Sequence, residues 1–167
     1  MMSIKKIFII GAGYVGLANG LALAKSYKVI FIDNDQKKLD IINGGHSPIK
    51  EDDLNIAIKN YSHNIRTSNS IKSIEDESLV ILSLPTNYDE EFESFDTSII
   101  DSIVQEISDL KKKVMIVIKS TVPIGYTGKL IAKNPQASIY FSPEFLREGK
   151  SFEDSTGNKR NKNLCGK

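Results

Sequence analysis

The chain has one cysteine among its 167 residues, Cys165, so it carries no internal disulfide and fits a reducing, cytoplasmic compartment. No apolar run approaches the roughly 18 to 20 residues that a membrane span needs. Charge of either sign is not in excess: 22 Lys and Arg stand against 21 Asp and Glu, a formal net charge of +1. Residues 155–167 hold four basic residues and no acidic one, which leaves residues 1–154 at −3. A basic nucleic-acid face on the main body is therefore not expected. His46 and His63 have no partners at metal-ligand spacing, and no internal repeat or linker interrupts residues 1–150.

What is present is an ordinary globular composition, 40% hydrophobic and 26% charged, enough for one domain with its own core. Apolar runs of strand length occur at 4–10, 29–32, 79–84, 114–118 and 139–141, and continuous apolar character predicts strands covered on both faces. Between them 14–26, 35–43, 52–60, 97–110 and 127–133 have helical spacing, as in Ile99, Ile100, Ile103, Val104, Ile107 and Leu110. A polar sixth strand is expected near 64–67. The N-terminal run is read as a first β-strand and not a signal peptide, because Gly11 follows at once and no small-residue cleavage site is placed for one. Alternating strands and helices predict a mainly parallel sheet with right-handed crossovers and helices on both faces.

Gly11-Ala12-Gly13-Tyr14-Val15-Gly16 follows the first strand and opens a helix, the context in which a G-x-G-x-x-G pattern has a mechanism. The first glycine allows a tight turn, the second lets a pyrophosphate approach the backbone, and the third lets helix and strand pack closely. The helix N-terminus supplies free N–H groups and positive potential. Asp33 ends the second strand, where its carboxylate can accept from both hydroxyls of an adenosine ribose and repel a 2′-phosphate. The fold class expected is thus α/β, a Rossmann-type doubly wound sheet, with NAD favoured over NADP. The plainer alternative is a glycine turn and a helix-capping Asp33. Lys38 can reach the same ribose or face solvent.

Three later strand ends carry unusual residues: Pro85-Thr86-Asn87, Ser120-Thr121-Val122-Pro123-Ile124-Gly125, and Ser142-Pro143-Glu144-Phe145-Leu146-Arg147-Glu148-Gly149. All lie at predicted carboxyl ends of strands, where open α/β sheets bind ligands. Each alone has a structural reading, since Pro punctuates loops and starts helices and Thr caps. Glu144 and Glu148 alone read as surface carboxylates, and Asp89, Glu90, Glu91 and Glu93 as a solvated loop.

Taken together, GAGYVGL, NGGHSPI, PTNYD, KSTVPIG and SPEFLREG resemble the UDP-glucose/GDP-mannose dehydrogenase family over residues 4 to about 154. Within it the chain is most similar to bacterial UDP-glucose 6-dehydrogenases, where PTNYD is followed by FDT. The resemblance implies oxidation of the C6 alcohol of a UDP-sugar to a carboxylate with two NAD, through a cysteine thiohemiacetal and thioester. It implies NAD contacts from Gly11, Ala12, Gly13, Tyr14, Val15, Gly16, Asp33, Lys38, Thr86, Thr121 and Glu148. Glu144, Phe145, Leu146, Arg147 and Glu148 would line the sugar-nucleotide site. Thr121, Glu144 and Glu148 would be catalytic, Thr121 holding a water and Glu144 taking its proton during thioester hydrolysis.

The same resemblance implies a homodimer through a central helix, and a second domain carrying the nucleophilic cysteine. Neither is expected here: residues 1–154 read as the NAD-binding domain, and 155–167 as a disordered tail outside the family pattern. Cys165 does not match the family's glycine-rich cysteine loop. The expectation is an NAD-binding half, truncated and inactive alone, with no nucleic acid or membrane partner. The alternatives are a non-catalytic NAD-binding module and a fragment specific for GDP-mannose or UDP-N-acetylmannosamine. A β-hydroxyacid dehydrogenase leaves KSTVPIG and SPEFLREG without a role.

Overall fold

A computed structural model describes residues 4–89, 94–144, 146–147 and 149–156. The strands are β1 (Lys6–Ile10), β2 (Val29–Ile32), β3 (Ile65–Ser68), β4 (Ser78–Leu82), β5 (Tyr88–Asp89), β6 (Ser94–Phe95), β7 (Val114–Ile118) and β8 (Ser138–Phe141). The helices are α1 (Tyr14–Ala24), α2 (Gln36–Asn43), α3 (Asp52–Tyr61), α4 (Ser98–Asp109), α5 (Tyr126–Lys133) and α6 (Ser151–Ser155). Six strands form one parallel sheet in the order β3-β2-β1-β4-β7-β8, the doubly wound arrangement expected from the alternation. The polar strand near 64–67 is β3, at one edge. No helix among the described residues is long and apolar enough to cross a membrane.

Period-two alternation along each strand divides the core between the two faces. Ile7 and Ile9 of β1 pack with Leu17 and Leu21 of α1 and Leu54 and Ile58 of α3. Phe8 and Ile10 point the other way, against Ile100, Val104 and Ile107 of α4 and Leu130 of α5. The central strands meet the expectation of two covered faces. β8 does not: only Ile139 is buried, while Tyr140 and Phe141 are 52% and 43% exposed. It lies at the sheet edge, where described residues cover one face only, and an apolar run does not reveal that position.

Asp89, expected in a solvated loop, belongs instead to β5, which pairs antiparallel with β6 through Tyr88↔Phe95 and Asp89↔Ser94. Glu90, Glu91 and Glu93 lie outside the described residues. At the far end, α6 packs on α1 and runs to Ser155, with the Thr156 hydroxyl donating to the Phe152 carbonyl. Gly157–Lys167, with Cys165, lies outside the described residues. The buried Glu51 carboxylate holds α6, accepting from the Ser151 hydroxyl at 2.8 Å and the Phe152 N–H at 3.1 Å. NGGHSPI is the bend that delivers Glu51: Ser47 N–H donates to Asn55 Oδ1, and its hydroxyl to the Ile49 carbonyl.

Gly125, with φ of +80°, turns the chain into α5, whose first residue, Tyr126, is buried against the α4 face. Burial, followed by the Asp101 carboxylate nearby, pushes the Tyr126 hydroxyl up to about 12 from the ordinary 10.0. A pKa raised on folding contributes stability that is whole below the unfolded value and lost as pH rises through the folded one. Ultraviolet titration is therefore expected to show one of the six tyrosines ionising near 12. Stability should fall between about pH 10 and 12, and Tyr126→Phe should remove that part of the loss.

Candidate functional site

The sheet ladder continues one residue past β1, β4, β7 and β8, so the carboxyl ends of these strands and of β2 line up along one rim. Gly11 N–H donates to the Ile32 carbonyl, Ser83 N–H to Ile10, Lys119 N–H to Leu82 and Ser142 N–H to Ile118. The strand order reverses between β1 and β4, and a cleft of about 540 Å³ opens there. It is lined by Gly11, Gly13, Tyr14 and Val15, by Asp33, Asn34 and Lys38, and by Ser83 to Pro85, Lys119 and Ser120; Ile32, Ile71 and Ile103 give it an apolar floor.

The three glycines of the turn do three different things. Gly11 has φ of +100°, and a Cβ there would lie 2.3 Å from the Ser83 carbonyl oxygen. A Cβ on Gly16 would lie 1.8 Å from the Gly11 carbonyl oxygen, so α1 can cross the turn only because that side chain is a hydrogen. Gly13 has nothing within 4 Å of a Cβ position and faces open space. It is also the N-cap of α1 with no side-chain cap, so among the described residues the first N–H groups of the helix keep no side-chain partner. This cradle fits a pyrophosphate without any cation. Ala12 is buried behind it.

Asp33 is 8% exposed and follows β2 directly. Its Oδ2 accepts from the Ala12 N–H at 2.8 Å and lies 3.5 Å from Lys38 Nζ, and its Oδ1 accepts from the Asp35 N–H at 2.9 Å. Lys38 thus points to the site. Thr86 and Thr121 follow two residues of the cleft wall, Pro85 and Ser120, but are not themselves in it. The buried Ser120 hydroxyl clamps the two loops, accepting from the Leu84 N–H and donating to the Leu84 carbonyl.

Glu144 stands at the β7–β8 side of this rim, with Oε2 accepting from Asn19 Nδ2 at 2.6 Å and lying 3.2 Å from Lys119 Nζ. Asn19 and Lys119 are partners that sequence reasoning missed, because α1 and β7 meet Glu144 only in the folded chain. Arg147 makes a bidentate pair with Asp154, at 2.7 and 3.1 Å, which holds its pKa above even the usual high value. Leu146 is half-buried beside it. Phe145 and Glu148 lie outside the described residues. Among the described residues no group of three or more His, Cys, Asp and Glu is placed to hold a metal.

Residues 5–162 match the UDP-glucose/GDP-mannose dehydrogenase family, NAD binding domain. The chain belongs to this family. It is 40% identical over 153 residues to a UDP-glucose 6-dehydrogenase of Campylobacter jejuni, covering 90% of this chain and 39% of that protein. The same fold occurs in a GDP-mannose dehydrogenase of Pseudomonas aeruginosa, with a TM-score of 0.77 at 23% identity over 90% of this chain and 38% of that one. It also occurs in a UDP-N-acetylmannosamine dehydrogenase of Pyrococcus horikoshii, with a TM-score of 0.80 at 19% identity over 89% of this chain and 38% of that one. The chain therefore spans about two fifths of the length of these relatives. Its cofactor is NAD, which the cradle and the buried acid at the β2 end both suit.

The glycines separate fold from binding. Gly16→Ala should cost more than about 1 to 3 kcal/mol, because the clash is with backbone that cannot turn away. Gly13→Ala should cost at most about 1 kcal/mol as a poorer N-cap, yet weaken NAD, since the new methyl fills the space facing the helix N-terminus. Urea denaturation beside calorimetric NAD titration of the two variants checks this contrast.

Proposed function

We propose that the chain is the NAD-binding half of a UDP-glucose 6-dehydrogenase, and that residues 1–167 bind NAD without oxidising the sugar nucleotide by themselves. The observation that carries this reading is the 40% identity to the Campylobacter enzyme, spread over 90% of the chain. The likenesses to GDP-mannose and UDP-N-acetylmannosamine dehydrogenases lie at 19–23% identity and support the fold alone.

In this reading the glycine turn and the α1 N-terminus hold the pyrophosphate, Asp33 and Lys38 the adenosine ribose, and the Pro85–Thr86 and Ser120–Thr121 ends border the nicotinamide. When bound there, NAD supplies the hydride acceptor. Asn19 and Lys119 fix Glu144 Oε2, and among the described residues Oε1 carries no hydrogen bond, which leaves that oxygen to take a proton from water. Thr121, exposed at the end of β7, presents a hydroxyl to hold such a water. General-base work of this kind is worth about 10²- to 10⁴-fold. Glu148 and Phe145 keep the sugar-site roles that the family resemblance implies, and a thiol nucleophile comes from outside the residues described.

Two measurements test the proposal. With UDP-glucose and NAD, the chain and its Cys165→Ser variant are both expected to form no NADH; turnover lost in Cys165→Ser would make Cys165 the nucleophile and overturn the reading. A chimera joining residues 1–156 to the second half of the Campylobacter enzyme is expected to oxidise UDP-glucose and to lose about 10²-fold or more with Glu144→Gln. A folded, NAD-binding chimera with no turnover would contradict it.

A further inference from the structure

The occupancy of Asp33 sets a problem for the ribose. A carboxylate offers about four lone-pair sites. Three are in use: the Ala12 N–H and the Lys38 ammonium share Oδ2, and the Asp35 N–H takes one site on Oδ1. Two ribose hydroxyls need two acceptor sites and find one. Both N–H donors belong to backbone that defines the cleft, Ala12 within the glycine turn and Asp35 at the cap of α2. Lys38 is the one donor on a flexible stem, 37% exposed at its side chain and at the longest distance, 3.5 Å.

From this we infer that Lys38 leaves Asp33 when the adenosine ribose enters, and that it is a 2′-phosphate anchor silenced by Asp33. The inference rests on the reading that Asp33 holds that ribose. In the chain as it stands the two charges cancel at the ribose edge, and a 2′-phosphate meets the carboxylate. Remove the carboxylate and an unpaired ammonium remains on the cleft wall. Asp35, the cap of α2, has Oδ1 committed to the Lys37 N–H, so it limits the gain without replacing Asp33. Choice between NAD and NADP then resides in the Asp33–Lys38 pair, and the effect of Lys38 on NADP depends on what occupies position 33.

Calorimetric titration of the full chain with NAD and with NADP tests this as a double-mutant cycle over Asp33→Ser, Lys38→Ala and the double variant. Asp33→Asn is the second probe, because its carboxamide oxygen can still accept from the Ala12 N–H. The parent chain should prefer NAD by about tenfold or more, the size of one charge-assisted hydrogen bond. In Asp33→Ser and Asp33→Asn, NAD should weaken and NADP tighten by about tenfold, and Lys38→Ala should erase that gain, a larger loss of NADP affinity than it causes in the parent. A gain that survives Lys38→Ala, or NADP affinity unmoved in both Asp33 variants while NAD weakens, overturns the role of Lys38 alone. No NAD binding by the folded parent, or NAD affinity unmoved in both Asp33 variants, would overturn the site itself and the inference with it.

Discussion

The contact on which the site depends is the passage of α1 over the β1 turn, where a Gly16 Cβ would stand 1.8 Å from the Gly11 carbonyl oxygen. A second close approach backs it: a Cβ on Gly20 would meet the Phe31 ring of β2 at 2.4 Å. Two hydrogens in place of methyl groups let one helix lie flat on two central strands. Its uncapped N-terminus then falls at the reversal of strand order, beside Asp33 on one side and Ser83 on the other. Binding geometry here is a by-product of packing, and backbone N–H groups do the work that a lysine or arginine would do elsewhere.

The rim has two chemical characters. At the β2 end, Asp33 sits between the apolar Ile32 and Ile71 and the polar Asn34, Lys38 and Asn69, a surround suited to a planar base and a ribose. At the β7–β8 end, Lys119, Glu144 and Asn19 form a polar cluster with a carboxylate held on one oxygen. The Ser120 hydroxyl, bonded to both N–H and C=O of Leu84, keeps the two loops between these ends from moving apart. A long ligand spanning the cleft meets an anion cradle in the middle, which is the order of parts in a dinucleotide.

The glycine turn and Asp33 were legible in the sequence because each is a local device: a pattern of small residues after an apolar run, and an acid at the next strand end. The parallel sheet followed from the alternation of strands and helices. The position of a strand in the sheet did not show in its own composition, which is why β8 reads as buried and Tyr140 and Phe141 are exposed. Nor did long-range pairs. Asn19 and Glu144 are 125 residues apart, and Glu51 reaches Ser151 across 100, so neither pairing leaves a mark in the local pattern. Gly20 was open to detection, one helical turn beyond Gly16 on the same face.

This chain alone builds the NAD cradle at the β1–β4 reversal. Amide NMR of the labelled chain titrated with NAD tests it most directly. The largest shifts are expected at Gly13 to Gly16, at Asp33 to Asp35 and at Ser83 to Leu84, with Glu51 and α6 unmoved. Shifts centred on α6 and α3, or none in a folded chain at saturating NAD, would contradict it.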